Sequence, residues 1–292
     1  MATARNKRLI VTICAFSVWA ASPAFAEYPK FIEDIIEKIE DSAIGVEPPT
    51  IFDLSGQVPE VSGAAYSKAT KMLWTLPDSG NPALLGRTDL ETFETRTFNV
   101  TGAENEDWEA ILLDRERKLW VLDVGDNNSV RNHVSLYRVD PERANGDNLP
   151  VIQQVNVLYP EGPMNVEAGA ILNNRIYLFE KTLTHKPKIV SVDISFAVTN
   201  PSDIPPMRVA RSEGELPMLA GPITDASLSP TGSLYLLTYA GVYEVPYWWS
   251  KRDRYVETIR LLFWGQIETL VALSDDHFLI GRESGKFFLL KR

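Results

Sequence analysis

Glu109–Asp114 (EAILLD) followed by Leu119–Asp126 (LWVLDVGD) is the stretch on which the organisation of the chain turns. An acidic residue opens a short apolar run, a turn follows, and a longer run rich in aromatic and β-branched residues ends in a polar cluster. Runs of this length bounded by turn signals read as two paired strands. The same unit recurs four more times. Glu60–Tyr66 (EVSGAAY) precedes Met72–Asp78 (MLWTLPD), and Glu167–Leu172 (EAGAIL) precedes Arg175–Lys181 (RIYLFEK). Asp225–Pro230 (DASLSP) precedes Leu234–Tyr239 (LYLLTY), and Glu268–Leu273 (ETLVAL) precedes His277–Glu283 (HFLIGRE).

The leading acids are 49, 58, 58 and 43 residues apart, close to the length of a four-stranded propeller blade. Each pair is followed by two more strand-like runs, such as Val134–Val139 and Ile152–Leu158 in the second unit. The last unit has room for only three strands, while Thr50–Leu54 forms an extra strand ahead of the first. A chain-start strand that completes the last blade would close the ring and protect its edges. The pattern predicts an all-β propeller of five four-stranded blades over residues 50–292, with six blades as the alternative.

Outward from the repeats, the chain start has a different character. Arg5, Lys7 and Arg8 precede an apolar run from Leu9 to Ala21 and then Ala24-Phe25-Ala26, the pattern of a signal peptide cleaved after Ala26. The expected destination is the periplasm or the exterior. The only cysteine, Cys14, falls inside this leader, which leaves no thiol for a disulfide or a thiolate metal site. No later run approaches the roughly 20 apolar residues of a spanning helix. Removing residues 1–26 moves the formal charge from -10 to -13. Such acidity disfavours nucleic acid and anionic lipid and favours metal ions or cationic partners.

Residues 27–49 read as a helix and a linker. Phe31, Ile32, Ile35, Ile36 and Ile39 share one face of a short amphipathic helix over 29–44, with Glu33, Asp34, Glu37, Lys38, Glu40 and Asp41 on the other. Such a helix either packs on the domain body or serves as a partner-binding or plugging segment. Gly45 stops it and Glu47-Pro48-Pro49 leads into the sheet region.

In a propeller the innermost strand lines the channel and the second runs antiparallel to it. The start of the first strand and the end of the second therefore share one face. That places Glu60, Glu109, Glu167, Asp225 and Glu268 on one rim as candidate metal ligands, near Asp78, Asp126, Lys181, Tyr239 and Glu283. Crowded carboxylates raise one another's pKa unless a cation or hydrogen bonds compensate, and hard oxygen donors at this density suit Ca²⁺ better than Mg²⁺. The competing reading is architectural: each acid caps backbone N–H groups of the neighbouring blade.

Asp78, Asn81, Asp126 and Asn127 sit in turn-type clusters beside the rim and are candidate ligand contacts together with Lys181, Tyr239 and Glu283. Lys181 and Arg131 are the cations expected near the face, either able to hold an anion beside a metal. Trp108, between Asp107 and Glu109, reads as packing. His133, His185 and His277 fall in separate units without ligand spacing. Gly281–Lys286 lacks the spacing of a phosphate loop, and no G-x-S-x-G elbow is present. Tyr247-Trp248-Trp249 with Lys251, Arg252 and Arg254 reads either as an exposed aromatic and basic loop or as packing between outer strands.

Through Glu60–Tyr66, Leu73-Trp74 leading to Asp78-Ser79-Gly80, Asp107-Trp108-Glu109 and Gly125–Asn128, residues 50–292 resemble secreted bacterial propellers of the SdiA-regulated and phytase-like kind. The resemblance implies a calcium-compatible acidic channel in a neighbourhood that includes phytases and lactonase-like hydrolases. The basic residues of propeller phytases have one loose counterpart here, Lys181. The expectation is an exported module that binds a divalent cation and presents its acidic face to a protein or small ligand. The alternative is a metal-dependent phosphoesterase with Lys181 as charge stabiliser.

Overall fold

A computed structural model describes residues 50–195, 205–246, 248, 250, 254–261 and 265–292. The leader, the 29–44 helix and the linker expected from the sequence lie outside the described residues, as do Tyr247, Trp249 and Lys251–Asp253.

The chain enters at β1 (Phe52–Asp53) and then builds four consecutive units. The first comprises β2 (Val61–Ser67), β3 (Met72–Pro77), β4 (Leu84–Asp89) and β5 (Thr95–Thr101). The second comprises β6 (Trp108–Leu113), β7 (Leu119–Asp123), β8 (Val134–Val139) and β9 (Asn148–Leu158). The third holds β10 (Val166–Leu172), β11 (Arg175–Glu180), β12 (Lys188–Asp193) and β14 (Arg211–Glu215), with the short β13 (Met207–Val209) lying parallel on β9. The fourth holds β15 (Ile223–Leu228), β16 (Leu234–Thr238), β17 (Gly241–Val245) and β18 (Val256–Arg260). The last has β19 (Ile267–Ala272), β20 (His277–Arg282) and β21 (Lys286–Lys291), and β1 pairs with β21 as its fourth strand.

These are five blades of four antiparallel strands, closed by the chain-start strand as the repeat count predicts. The inner strands touch in a ring, β2 to β6 to β10 to β15 to β19 and back to β2. Closure is cemented by Phe52, whose ring stacks on Phe287 at 4.7 Å. Blades 1 and 2 are further joined at their outer edges, where β5 and β9 pair in parallel from Asn99↔Asn148 to Thr101↔Pro150.

The blades pack face to face through alternating apolar residues, as period-2 strands require. One cluster between blades 2 and 3 includes Trp120, Leu122, Leu136, Val155, Ile176 and Leu178, all buried. Trp108 is wholly buried, donating its Nε1–H to Glu104 O at 2.8 Å, so it is packing. Trp248 is likewise buried and meets Tyr177 edge-on at 4.8 Å.

One local irregularity recurs and sets up everything that follows. In each blade the pairing of the inner strand with the second slips by one residue immediately after its first pair: between Val61 and Gly63, Trp108 and Ala110, Val166 and Ala168, Ile223 and Asp225, and Ile267 and Thr269. A bulge of this kind bends the strand and re-aims the extra side chain. The extra residues are Ser62, Glu109, Glu167, Thr224 and Glu268.

Candidate metal centre

The five bulges give the mouth of the channel its register. In blades 2, 3 and 5 the bulged residue is the leading acid of the sequence repeat. In blade 1 it is Ser62, two residues past Glu60, and in blade 4 it is Thr224, one residue before Asp225. Glu60 itself has φ 44°, so it belongs to the turn ahead of β2.

Glu109 is at the centre. It is 3% exposed; its Oε2 accepts a hydrogen bond from Ser62 Oγ at 2.7 Å, across the blade 1–2 boundary. On the other side the Glu167 carboxyl of blade 3 is near enough to resist its ionisation. Burial, then the charges of Glu167 and Asp78, push the Glu109 carboxyl well above its ordinary range.

Asp78 follows β3 and Asp107 precedes β6, so two neighbouring blades bring them to the same place. One oxygen each from Asp78, Asp107 and Glu109 lie within 4.8 Å of one another. The backbone around them is tightly held. Asn105 Nδ2 donates to Asp78 O at 2.8 Å; Asp107 N donates to Asp123 Oδ1 at 3.0 Å; Val124 N and Gly125 N both donate to Asp107 O. Gly125 forms one wall, where a Cβ would come within 2.4 Å of the Asp107 carboxylate and 2.6 Å of Glu109 Oε1. A larger side chain there would have to push the Asp107 and Glu109 carboxyl groups aside.

Asp107 Oδ1 is buried and has no hydrogen-bond partner. Burial and the charges of Asp78 and Glu167 raise the Asp107 carboxyl to about 6, and burial raises Asp78 as well. Three acids held off their normal ionisation by desolvation and mutual repulsion, one with an orphaned oxygen, form a donor set that a cation would complete.

The remaining sequence candidates divide by what their oxygens and nitrogens already do. Glu167 accepts from Lys181 Nζ at 3.1 Å and Asn165 Nδ2 at 3.0 Å. Lys181 also sits over the Tyr239 ring at 5.8 Å, and its ammonium is held well above the usual lysine range because Glu167 and Glu268 outweigh its burial. Glu268 accepts from Tyr239 Oη at 2.7 Å; burial, with Glu167 and Glu283 adding to it, raises its carboxyl to about 7 despite the pull of Lys181 and Tyr239. Glu60 accepts from Asn81 Nδ2 at 2.7 Å at the outer edge of the mouth. Glu283 is near enough to Asp78 and Glu60 to be raised by both, after its own burial.

Asp225 is placed differently. It is fully enclosed, with Oδ1 accepting from Ala226 N at 2.7 Å and Oδ2 from Leu270 N of blade 5 at 2.6 Å. It stands where the other blades have Gly63, Ala110, Ala168 and Thr269, and it ties two inner strands together, the architectural alternative of the sequence reading. Asp126 is also occupied, its two oxygens accepting from Val130 N at 2.9 Å and Arg131 N at 2.8 Å. The residue that matches Asp78, Lys181, Tyr239 and Glu283 in strand register is Val124, two positions earlier. Asn127 accepts from Asn165 Nδ2 at 3.0 Å. Arg131 is committed to Asp123 at 2.8 Å and Glu106 at 3.0 Å.

Asp107, Ser62, Asn165 and Gly125 are the participants absent from the sequence-based site. Asp107 was visible only as the first acid of a D-x-E triplet; two-residue spacing across a bulge is what makes both acids face one point. Of the weaker motifs, Gly281–Lys286 is the β20–β21 hairpin with Gly285 at φ 89°, and His185 Nε2 contacts Glu180 at 3.1 Å. No helix among the described residues is long and apolar enough to cross a membrane.

The sequence matches no protein-family model and no curated protein. Among solved structures, the PQQ-bound aldose sugar dehydrogenase of Streptomyces coelicolor superposes with a TM-score of 0.51 at 10% identity, covering 84% of this chain and 99% of the other. At that identity the likeness speaks to the propeller fold. A gluconolactonase of Xanthomonas campestris (TM-score 0.46, 11% identity, 85% and 96% covered) and a luciferin-regenerating enzyme (0.47, 10%, 84% and 96%) overlap more loosely.

Proposed function

We propose that this protein is an exported module whose acidic mouth binds a divalent cation, Ca²⁺, through Asp78, Asp107 and Glu109, and presents the occupied face to a ligand or protein partner. The observation that carries this reading is the convergence of three carboxylate oxygens from two blades within 4.8 Å, beside an Asp107 oxygen that is buried and unpartnered. A spread of that size suits Ca²⁺, with bonds of roughly 2.3–2.6 Å and flexible geometry, better than Mg²⁺ at roughly 2.0–2.1 Å. Glu167 is close enough to resist the ionisation of Glu109 and would add a fourth carboxylate. Export rests on residues 1–26 of the sequence.

Calorimetric titration of chelator-treated protein tests the proposal. One Ca²⁺ site, weaker Mg²⁺ binding and loss of the site in Asp107→Asn are expected. A wild-type protein that gives no binding heat and no calcium-dependent change in melting temperature overturns it.

A second reading, a phosphoesterase of phytase-like type, is favoured by one feature: Glu268, with its carboxyl raised to about 7, stands beside Tyr239 and Lys181 across the same mouth. A carboxyl poised near neutrality can exchange a proton with substrate, and Lys181 would hold an anionic oxygen. A bound cation would polarise a phosphoryl oxygen and acidify water there. Assays on phosphomonoesters, phytate and lactones with Ca²⁺ separate the readings. Turnover abolished by Glu268→Gln, with Ca²⁺ binding retained, selects the enzyme; silence on all three selects the binding module.

A further inference from the structure

The channel has a second opening, and its chemistry is the reverse of the first. At the far ends of the inner strands lies a cavity of about 280 Å³ lined by residues of all five blades. Its wall is made of small residues such as Ala65, Gly169 and Ala226, and its rim carries one larger apolar side chain per blade: Tyr66, Leu113, Ile171, Leu228 and Leu273. Most of the rim is only half-buried. Exposed Lys68 stands among them. An open apolar funnel of this kind can receive an apolar segment.

The strand registers show where the chain comes from. Asp53 pairs with Lys286 and Phe52 with Phe287, and Ile51 N donates to Phe287 O at 2.8 Å. Going backward from Asp53, the chain therefore runs along β21 towards Lys291. Lys291 is opposite His277 at the start of β20, next to the end of β19 and the funnel. Thr50 thus stands on the funnel side of β1, away from the acidic mouth.

The distance is short. From the fourth strand of a blade to the first is three strand spacings of about 4.8 Å, or about 14 Å. Residues 45–49, from the helix stop at Gly45 onward, reach up to about 17 Å when extended. Just beyond that tether the sequence places Phe31, Ile32, Ile35, Ile36 and Ile39 at helical spacing.

We propose that the apolar positions of 29–44 seat on this funnel, so that the chain's own leading segment plugs the channel at the end opposite the metal centre. A cysteine placed at the rim tests it in the full chain. With Cys14→Ser as background, Leu228→Cys reports the funnel and Leu183→Cys, on the acidic side, serves as control. The proposal expects Leu228→Cys to react with a maleimide at least tenfold faster when Ile35→Glu and Ile36→Glu are added, with Leu183→Cys unchanged and the melting temperature preserved. In an Ile35→Cys, Leu228→Cys chain, a short bifunctional maleimide should join the two sites within one molecule. Equal rapid labelling with and without the glutamates, or protection that disappears on dilution because a second copy covers the funnel, overturns it. These readouts involve no metal, so they stand or fall apart from the calcium reading.

Discussion

Replacing Glu109 by glutamine should change stability in opposite directions with and without calcium. In the metal-free protein Glu109 is a buried carboxyl whose ionisation is resisted by its burial and by Glu167 and Asp78. Two unit charges no more than 4.8 Å apart repel by about 3 kcal/mol or more at an effective dielectric of 20. Glutamine is nearly isosteric, can still accept from Ser62 Oγ, and can donate its amide to Glu167. Removing this unfavourably placed carboxyl should therefore stabilise the metal-free protein near pH 7.5 by about 1–3 kcal/mol. With calcium the order reverses. A ligand at one hundred times its dissociation constant adds about 2.7 kcal/mol to a native state that alone binds it. For a domain of this size that is a rise of about 5–10 °C in melting temperature, and a variant without the central oxygen should show almost none of it. The assay is thermal unfolding of both proteins in chelator and in millimolar CaCl₂. A variant destabilised in chelator, or one that keeps the full calcium shift, would refute the reasoning.

Three further outcomes follow from the same geometry. Asp225→Ala leaves the amides of Ala226 and Leu270 without their acceptor and should cost about 2–4 kcal/mol in urea unfolding, while calcium affinity measured by titration stays within about threefold of wild type; a large loss of affinity would mean Asp225 is a ligand after all. Glu268 has a native carboxyl raised to about 7 from 4.5, so the folded state holds its proton more tightly. That contribution, about 3 kcal/mol at 1.36 kcal/mol per unit, is fully present below about pH 4.5 and lost as pH rises through 7. Asp107, raised to about 6, acts in the same sense. Metal-free protein should thus be more stable at pH 5 than at pH 8 in denaturant titrations, with a smaller difference in Glu268→Gln, and the opposite slope would rule the assignment out. Gly125→Ala pushes a Cβ into the Asp107 carboxylate and should reduce calcium affinity at least tenfold while leaving the circular dichroism of the sheets intact; unchanged affinity would exclude Gly125 as a wall of the site.

Much of the architecture could be read from residue order. Turn signals between short β-type runs, four runs per unit, and an unassigned strand at Thr50–Leu54 led to five blades and to the closing role of β1. The acidic mouth was legible too, because antiparallel pairing of the first two strands puts Glu109 and Asp78 at one face. The participants were less so. Glu109 and Asp225 each open a run that looks the same in sequence, yet one meets Asp78 and Asp107 and the other caps Leu270 N.

The difference lies in the bulge. Period-2 alternation and turn residues are local properties, so the chain alone determined strands, a ring of five or six blades, and an acid near the head of each inner strand. Where the pairing slips by one residue depends on how the inner and second strands fit between neighbouring blades, and a slip of one residue sends a side chain to a different side. Only the closed ring decided that Ser62 and Thr224, rather than Glu60 and Asp225, take the bulged places. It also decided that Asp78 and Asp107, from different blades, share a point with Glu109. Closure of the ring presses Asp78 of one blade against Asp107 and Glu109 of the next, and that is what offers three carboxylates to one cation.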